Sequence, residues 1–321
     1  MTKHHWQKNV VSRLLWQWIP PGIDIIVAIQ AASGPMLDSV FRAITFLGDQ
    51  YAFLVLVVCL CWCVDKRYGL RTALLLLFSA WVNGGLKEVL QIPRPFLVSS
   101  VVQPKVIALG YAFPSGHAQL AATLWPWLVR TLRKRWMSLA AVALVPLIAF
   151  SRVYLGVHYP QDVLAGMAVG LVLVYLYSWL QPRLEAWAAT RTLILQLAGA
   201  IALPLAMILP LRTDDALAGA LGLAGLGIGY LLERRWIDFR GNPGFVRSVG
   251  RLAVGLTVLA GIFMGLDTAF PPDKMSRLPQ MFLALRFACV GLAATLAIPW
   301  LFVRLNLATA QSGSATASEQ V

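Results

Sequence analysis

Stretches of mostly apolar residues, each near the length of a bilayer-crossing helix, recur along almost the whole chain. They fall at about 50–65, 70–91, 117–132, 137–155, 162–180, 191–210, 216–232, 250–267 and 281–303. A helix needs ~20 such residues to cross the hydrocarbon core, and inside lipid only structures that satisfy their own backbone groups are viable. The pattern therefore predicts an all-α fold, a polytopic membrane helical bundle of about nine spans. Composition agrees. The 321 residues are 59% hydrophobic and 13% charged, whereas soluble domains carry about 25% charged residues. So little charge could not cover a water-exposed surface.

The ends read differently. Residues 20–48 hold two short amphipathic stretches, "GIDIIVAIQAAS" and "MLDSVFRAITFLGD", which suit N-terminal interfacial helices or, for one of them, part of a further span. The opening "MTKHHWQKNVVSRLLWQWIPPG" is basic, but Pro20 and Pro21 break its apolar part and no small-residue cleavage site follows. No cleavable signal peptide is expected. The closing "ATAQSGSATASEQV" is small and polar and reads as a disordered tail. Cys59, Cys61 and Cys63 recur at every second residue, which scatters them around a helix axis. With Cys289 they read as small apolar membrane residues rather than as metal ligands or a disulfide framework.

A formal charge of +13 asks for a partner. The basic residues are scattered between apolar runs, so nucleic acid is not expected. Most of them fall in alternate loops: Lys66, Arg67 and Arg71; Arg130, Arg133, Lys134 and Arg135; Arg183 and Arg191; Arg234, Arg235, Arg240, Arg247 and Arg251. If the spans alternate, these loops share one face, and the positive-inside rule makes it cytoplasmic. Anionic headgroups suit a few more. The opposite, extracytoplasmic loops are 91–116, 156–161, 211–215 and 268–280.

The first two of those outer loops hold nearly all the chemistry. "KEVLQIPRP" places Lys87 near the end of one span and Arg94 between Pro93 and Pro95, prolines that stop the helix and stiffen its exit. "PSGH" sets Ser115, Gly116 and His117 at the start of the next span. "SRVYLGVHYPQD" carries Ser151, Arg152, His158 and Asp162. Each has an ordinary structural reading: a snorkelling lysine, a loop cation, a helix N-cap, a structural His–Asp pair. Their joint placement argues otherwise. The chain has four histidines; His4 and His5 are terminal, and the other two lie in these patches. Three cations converging at the edge of a membrane repel one another, and a phosphate would offset that repulsion.

The roles follow from the chemistry. With Pro160 opening a helix, Asp162 falls in its first turn, close enough to take a hydrogen bond from His158. A carboxylate there fixes the imidazole tautomer and frees the other nitrogen to attack phosphorus, giving a phosphohistidine. His117 would protonate the leaving oxygen and then act as base on water. Lys87, Arg94 and Arg152 would hold the phosphoryl oxygens, joined by the Ser115 hydroxyl and the Gly116 amide at a helix N-terminus. No metal or other cofactor is required, and that face shows no carboxylate cluster to bind one.

These three patches resemble the motifs of the type 2 phosphatidic acid phosphatase superfamily, Lys-x6-Arg-Pro, Pro-Ser-Gly-His and Ser-Arg-x5-His-x3-Asp, matched in order without substitution. The resemblance covers about residues 20–180. It implies a helical membrane phosphatase acting on lipid phosphates or diphosphates at the outer leaflet of the cell membrane. It implies His158 as nucleophile, Asp162 orienting it, His117 as acid, and Lys87, Arg94, Ser115, Gly116 and Arg152 on the phosphate. The expected organisation is an interfacial segment over 1–48, a catalytic core over 49–182, a transmembrane extension over 183–305 and a tail over 306–321.

The extension departs from the usual core. Its "GALGLAGLGIG" offers small residues for close helix packing or a homo-oligomer face. Arg286 reads as a snorkelling or headgroup-contacting cation. Asp214, Asp215, Asp267 and Asp273 read as outer-loop residues. Candidate substrates are phosphatidic acid, phosphatidylglycerol phosphate, a polyprenyl diphosphate or a sphingoid phosphate. The alternatives are a lipid phosphotransferase using the same phosphohistidine and a non-enzymatic anion-binding membrane protein. Vanadate-dependent haloperoxidases share the constellation, but they are soluble, which this composition opposes.

Overall fold

The computed structural model describes residues 14–209, 214–240, 244–269 and 278–310, and among them regular structure is helical, apart from one antiparallel bridge between Phe239 and Ala310. The chain divides into two compact units. One holds the described residues up to Leu54 together with Leu75–Pro182; the other holds Val55–Leu74 and the described residues from Arg183 onward.

The helices of the first unit are α1 (Ile19–Ala31), α2 (Pro35–Phe46), the start of α3 (Gln50–Cys59), most of α4 (Lys66–Leu90), a single turn α5 (Pro95–Val98), α6 (Gly116–Leu132), α7 (Arg135–Tyr154) and most of α8 (Pro160–Ala189). Local sequence explains the starts. Proline stands at the first turn of α1, α2 and α5, where its missing N–H costs nothing. Asp49 caps α3 by accepting the backbone N–H of Tyr51. The core beneath the site is built from Ile26, Ile92, Ala118, Val153, Tyr159 and their neighbours, all buried.

Six helices among the described residues are long and apolar enough to cross a membrane, and seven if Pro35–Phe46 and Gln50–Val64, bent by 45°, make one span. The sequence pattern predicts about nine. Two of the expected spans are too short: α6 has 17 residues, and α9 (Leu193–Ile208) has 16. A third, α10 (Asp214–Trp236), is diluted by glycine and terminal charges. Conversely, Leu14–Ala31, within the stretch read as interfacial, qualifies as a span.

The second unit contains α9, α10, α11 (Phe245–Ala269), α12 (Leu278–Leu292) and α13 (Ile298–Arg304). The glycine-rich stripe is used inside the chain. A Cβ on Gly225 would collide with the backbone carbonyl of Ala288, so α10 and α12 touch backbone to backbone. Asp267 lies in the last turn of α11 rather than in a loop, and it forms a 2.6 Å ion pair with Arg286, whose guanidinium also lies over the Phe263 ring. The pair explains how an arginine tolerates an apolar run. Asp214 and Asp215 open α10; Asp273 and residues 311–321 of the tail lie outside the described residues.

Arg251 pins this unit together. It is 1% exposed and donates to the carbonyls of Trp62, Arg240 and Leu307, between the Phe239 and Phe302 rings. Arg251→Leu removes the charged donor and strands buried carbonyls. Thermal unfolding in detergent should show a loss of about 2–4 kcal/mol; an unchanged midpoint would count against the pin.

Candidate active site

The site forms where the ends of α4, α7 and the α7–α8 connection meet the start of α6. Each end is set by its own sequence. Gln91 ends α4 with φ 51°, and the prolines flanking Arg94 hold the chain extended there. Arg94 is 4% exposed and spreads its guanidinium over three carbonyls: Nε donates to Gly110 O at 3.1 Å, Nη2 to Leu109 O at 2.6 Å and Nη1 to Val157 O at 3.0 Å. The same Nη1 lies 3.3 Å from His158 Nε2.

That contact settles how the imidazole is protonated. Arginine has no acceptor, so His158 Nε2 accepts and carries no proton; the proton sits on Nδ1. Nδ1 in turn lies 3.2 Å from Asp162 Oδ2, which also accepts the backbone N–H of Tyr159 at 2.9 Å. His158 is 1% exposed and Asp162 fully buried. Burial above all, then the Arg94 charge, holds the His158 pKa well below the usual histidine value. That direction favours the neutral imidazole, whose Nε2 lone pair faces Arg94.

Pro160 opens α8, which puts Asp162 in its first turn as the spacing predicts. The Asp162 carbonyl accepts the backbone N–H of Ser115 at 2.9 Å, joining the start of α8 to the start of α6. Ser115 precedes Gly116 at the first position of α6, and its buried hydroxyl has no hydrogen-bond partner. Arg152, in the last turn of α7 and 5% exposed, donates from Nη1 to the Thr45 hydroxyl at 2.7 Å, while its buried Nε has no partner. Lys87 stands in the last turn of α4 within electrostatic reach of Arg94, Arg152 and Asp162. His117 is likewise within reach of Lys87, Arg94, Arg152 and His158.

The structure thus brings together all eight residues singled out from sequence. An unpaired hydroxyl, an unpaired guanidinium N–H and the cations around them suit a phosphate. The Ser151 hydroxyl, by contrast, bonds back to Ile148 O at 2.6 Å within its own helix, a packing role. Sequence reasoning missed Thr45 and Asp49, the latter with Oδ2 4.0 Å from His117 Nε2. It also missed a buried polar set behind α6, in which Asn83 donates to Gln119 and Gln119 donates to Ser79 O. The polar break "TFLGD" in an otherwise apolar stretch was the available signal for the first two.

Comparison with known proteins matches residues 68–186 to the PAP2 superfamily and residues 216–310 to the PAP2 superfamily phosphatase transmembrane extension. Phosphatidylglycerophosphatase B of Bacillus subtilis is 32% identical over 164 residues, which cover 47% of this chain and 78% of that protein. The chain belongs to the PAP2 superfamily.

Lipid phosphate phosphatase delta of Arabidopsis thaliana is 25% identical over 56% of this chain, which spans about half the length of that relative, 47%. The solved structure of a transmembrane PAP2-type phosphatidylglycerolphosphate phosphatase from Bacillus subtilis aligns at 27% identity and a TM-score of 0.46, over 55% of this chain and 97% of that one. Within the stretch that the sequence presents as a departure from the PAP2 core, residues 216–310, which hold nearly all of α10 and the helices after it, match the family's own transmembrane extension.

Proposed function

We propose that this PAP2 protein is a phosphatase that hydrolyses a lipid phosphate or diphosphate at the extracytoplasmic face of the cell membrane, through a phosphohistidine. The observation that carries this reading is the buried Asp162–His158–Arg94 line, in which a carboxylate holds Nδ1 and a guanidinium meets Nε2. The nucleophile, its orienting base and a phosphate-binding cation stand in a row.

In the first step the His158 Nε2 lone pair attacks phosphorus, the ester P–O bond breaks, and His117 gives its proton to the leaving oxygen. Arg94, Lys87 and Arg152 take the equatorial oxygens, with Ser115 Oγ and the Gly116 amide beside them. In the second step water attacks, the P–N bond breaks, inorganic phosphate leaves and His117 accepts the water proton. Orientation is supported by charge. Arg130, Arg133, Lys134 and Arg135 sit at the α6–α7 junction, at the opposite ends of those helices from the site, where positive residues mark the cytoplasm.

The test is phosphate release by the purified full chain in detergent, over phosphatidic acid, phosphatidylglycerol phosphate, a polyprenyl diphosphate and sphingosine 1-phosphate. Release from at least one is expected. Orthovanadate, which adopts the trigonal-bipyramidal shape of the transition state, should inhibit it competitively. No release from any of them would sink the reading, and a labelled phosphate delivered to an alcohol instead of water would mark a phosphotransferase.

A further inference from the structure

The corner between α2 and α3 forms part of the active-site wall, although none of the three motifs includes it. Thr45, in the last turn of α2, takes the hydrogen bond from Arg152. Gly48 follows in the turn, where a Cβ would come 2.5 Å from Ile148 Cγ2 and 3.4 Å from His117 Cδ2; only glycine lets the corner sit this close. Asp49 comes next. Its Oδ1 caps α3 at 3.0 Å from Tyr51 N, and its Oδ2 faces His117 Nε2 at 4.0 Å. That is an ion-pair distance rather than a hydrogen bond, and contacts of this kind commonly tighten when substrate binds.

The electrostatics give this carboxylate a task. The charged groups around His117 include Lys87, Arg94 and Arg152, all cations, and the buried carboxylate Asp162 is engaged by His158, which leaves the half-exposed Asp49 to face His117. A general acid must carry a proton when substrate arrives, and three cations oppose that. We propose that Asp49 is a positioning residue for His117, holding the proton on Nε2 and stabilising the imidazolium so that Nδ1 delivers and recovers the proton exchanged with the leaving oxygen and with water. Asp49 neither takes nor gives a proton in either step, so the proton count is unchanged. The arrangement mirrors the second histidine, where Asp162 holds Nδ1 and Nε2 reacts. The inference rests on His117 being the acid of the proposed phosphatase reaction.

Asp49→Asn separates charge from structure, because asparagine caps a helix about as well as aspartate. The readout is the dependence on leaving group, measured with the full chain in detergent. Dioctanoyl phosphatidic acid expels a poor alkoxide and needs the acid; p-nitrophenyl phosphate expels a stable phenolate and does not. Because both substrates share the second step, the comparison is made in kcat/KM, which reports only the steps up to loss of the leaving group: for phosphatidic acid it should fall roughly 30-fold, a part of the ~10²–10⁴-fold that general acid catalysis supplies, whereas for p-nitrophenyl phosphate it should change less than about 3-fold. His117→Ala should show the same split, Asp49→Glu should restore part of the loss, and the double variant should be no slower than His117→Ala alone. Equal losses of kcat/KM on both substrates, or losses that multiply in the double variant, would overturn the proposal. Wild-type turnover that His158→Ala abolishes establishes the phosphatase reaction separately, so such a result would remove the role of Asp49 and leave the reaction standing.

Discussion

His158→Ala should reduce lipid phosphate turnover by about 10⁴-fold or more, to the limit of detection, because in the proposed reaction it removes the atom that bonds to phosphorus and not merely a contact. Labelled substrate should leave an acid-labile, alkali-stable phosphate on the wild-type chain and none on the variant. The surroundings make the prediction sharp. The His158 ring is 1% exposed, so no water-filled space lets another group substitute. Burial and Arg94 keep its pKa well below the ordinary histidine value. The sign therefore favours reaction: the neutral, nucleophilic form persists to lower pH than it would for a free histidine, and the acid limb of kcat/KM should not coincide with ordinary histidine titration near ~6.5. Phosphate release by the Ala variant at more than a few per cent of the wild-type rate would rule out the covalent route.

How far the site was legible in sequence depended on how local each contact is. The His158–Asp162 pair is only four residues apart, with Pro160 between them marking the helix start, so spacing suggested the contact. Helix existence was equally plain, since a run of apolar residues in lipid has little choice but to be helical. What was not legible needed the fold. Thr45 and Asp49 reach Arg152 and His117 across 107 and 68 residues respectively, and no periodicity connects them. The span count, about nine from hydropathy, is roughly consistent with the six or seven long apolar helices among the described residues; hydropathy registers a segment's average, while α6 has 17 residues. The use of the glycine stripe was also hidden: small residues permit close approach, but only the facing Ala288 shows that the partner is another helix of the same unit.

Arg94→Lys keeps the charge and should still cost about 10²–10³-fold in kcat/KM, comparable to losing a preorganised oxyanion donor. The reason is geometric. One planar guanidinium meets Gly110 O, Leu109 O, Val157 O and His158 Nε2 in three directions at once, whereas a lysine ammonium is a compact point charge on a flexible stem. Two consequences follow from that single loss. The segment carrying Leu109 and Gly110 is no longer tied to the residue before His158, and Nε2 loses the donor that keeps its lone pair defined. The donor nearest Nε2 is also the one best placed to pass to a phosphoryl oxygen as the P–N bond forms, so part of the penalty should fall on kcat and not only on KM. Were charge alone the requirement, the Lys variant would keep most of its activity while Arg94→Ala lost it. Measuring kcat and KM for both variants, with thermal unfolding to account for the three lost carbonyl bonds, distinguishes a cation that merely attracts phosphate from a fork that also holds His158 in place.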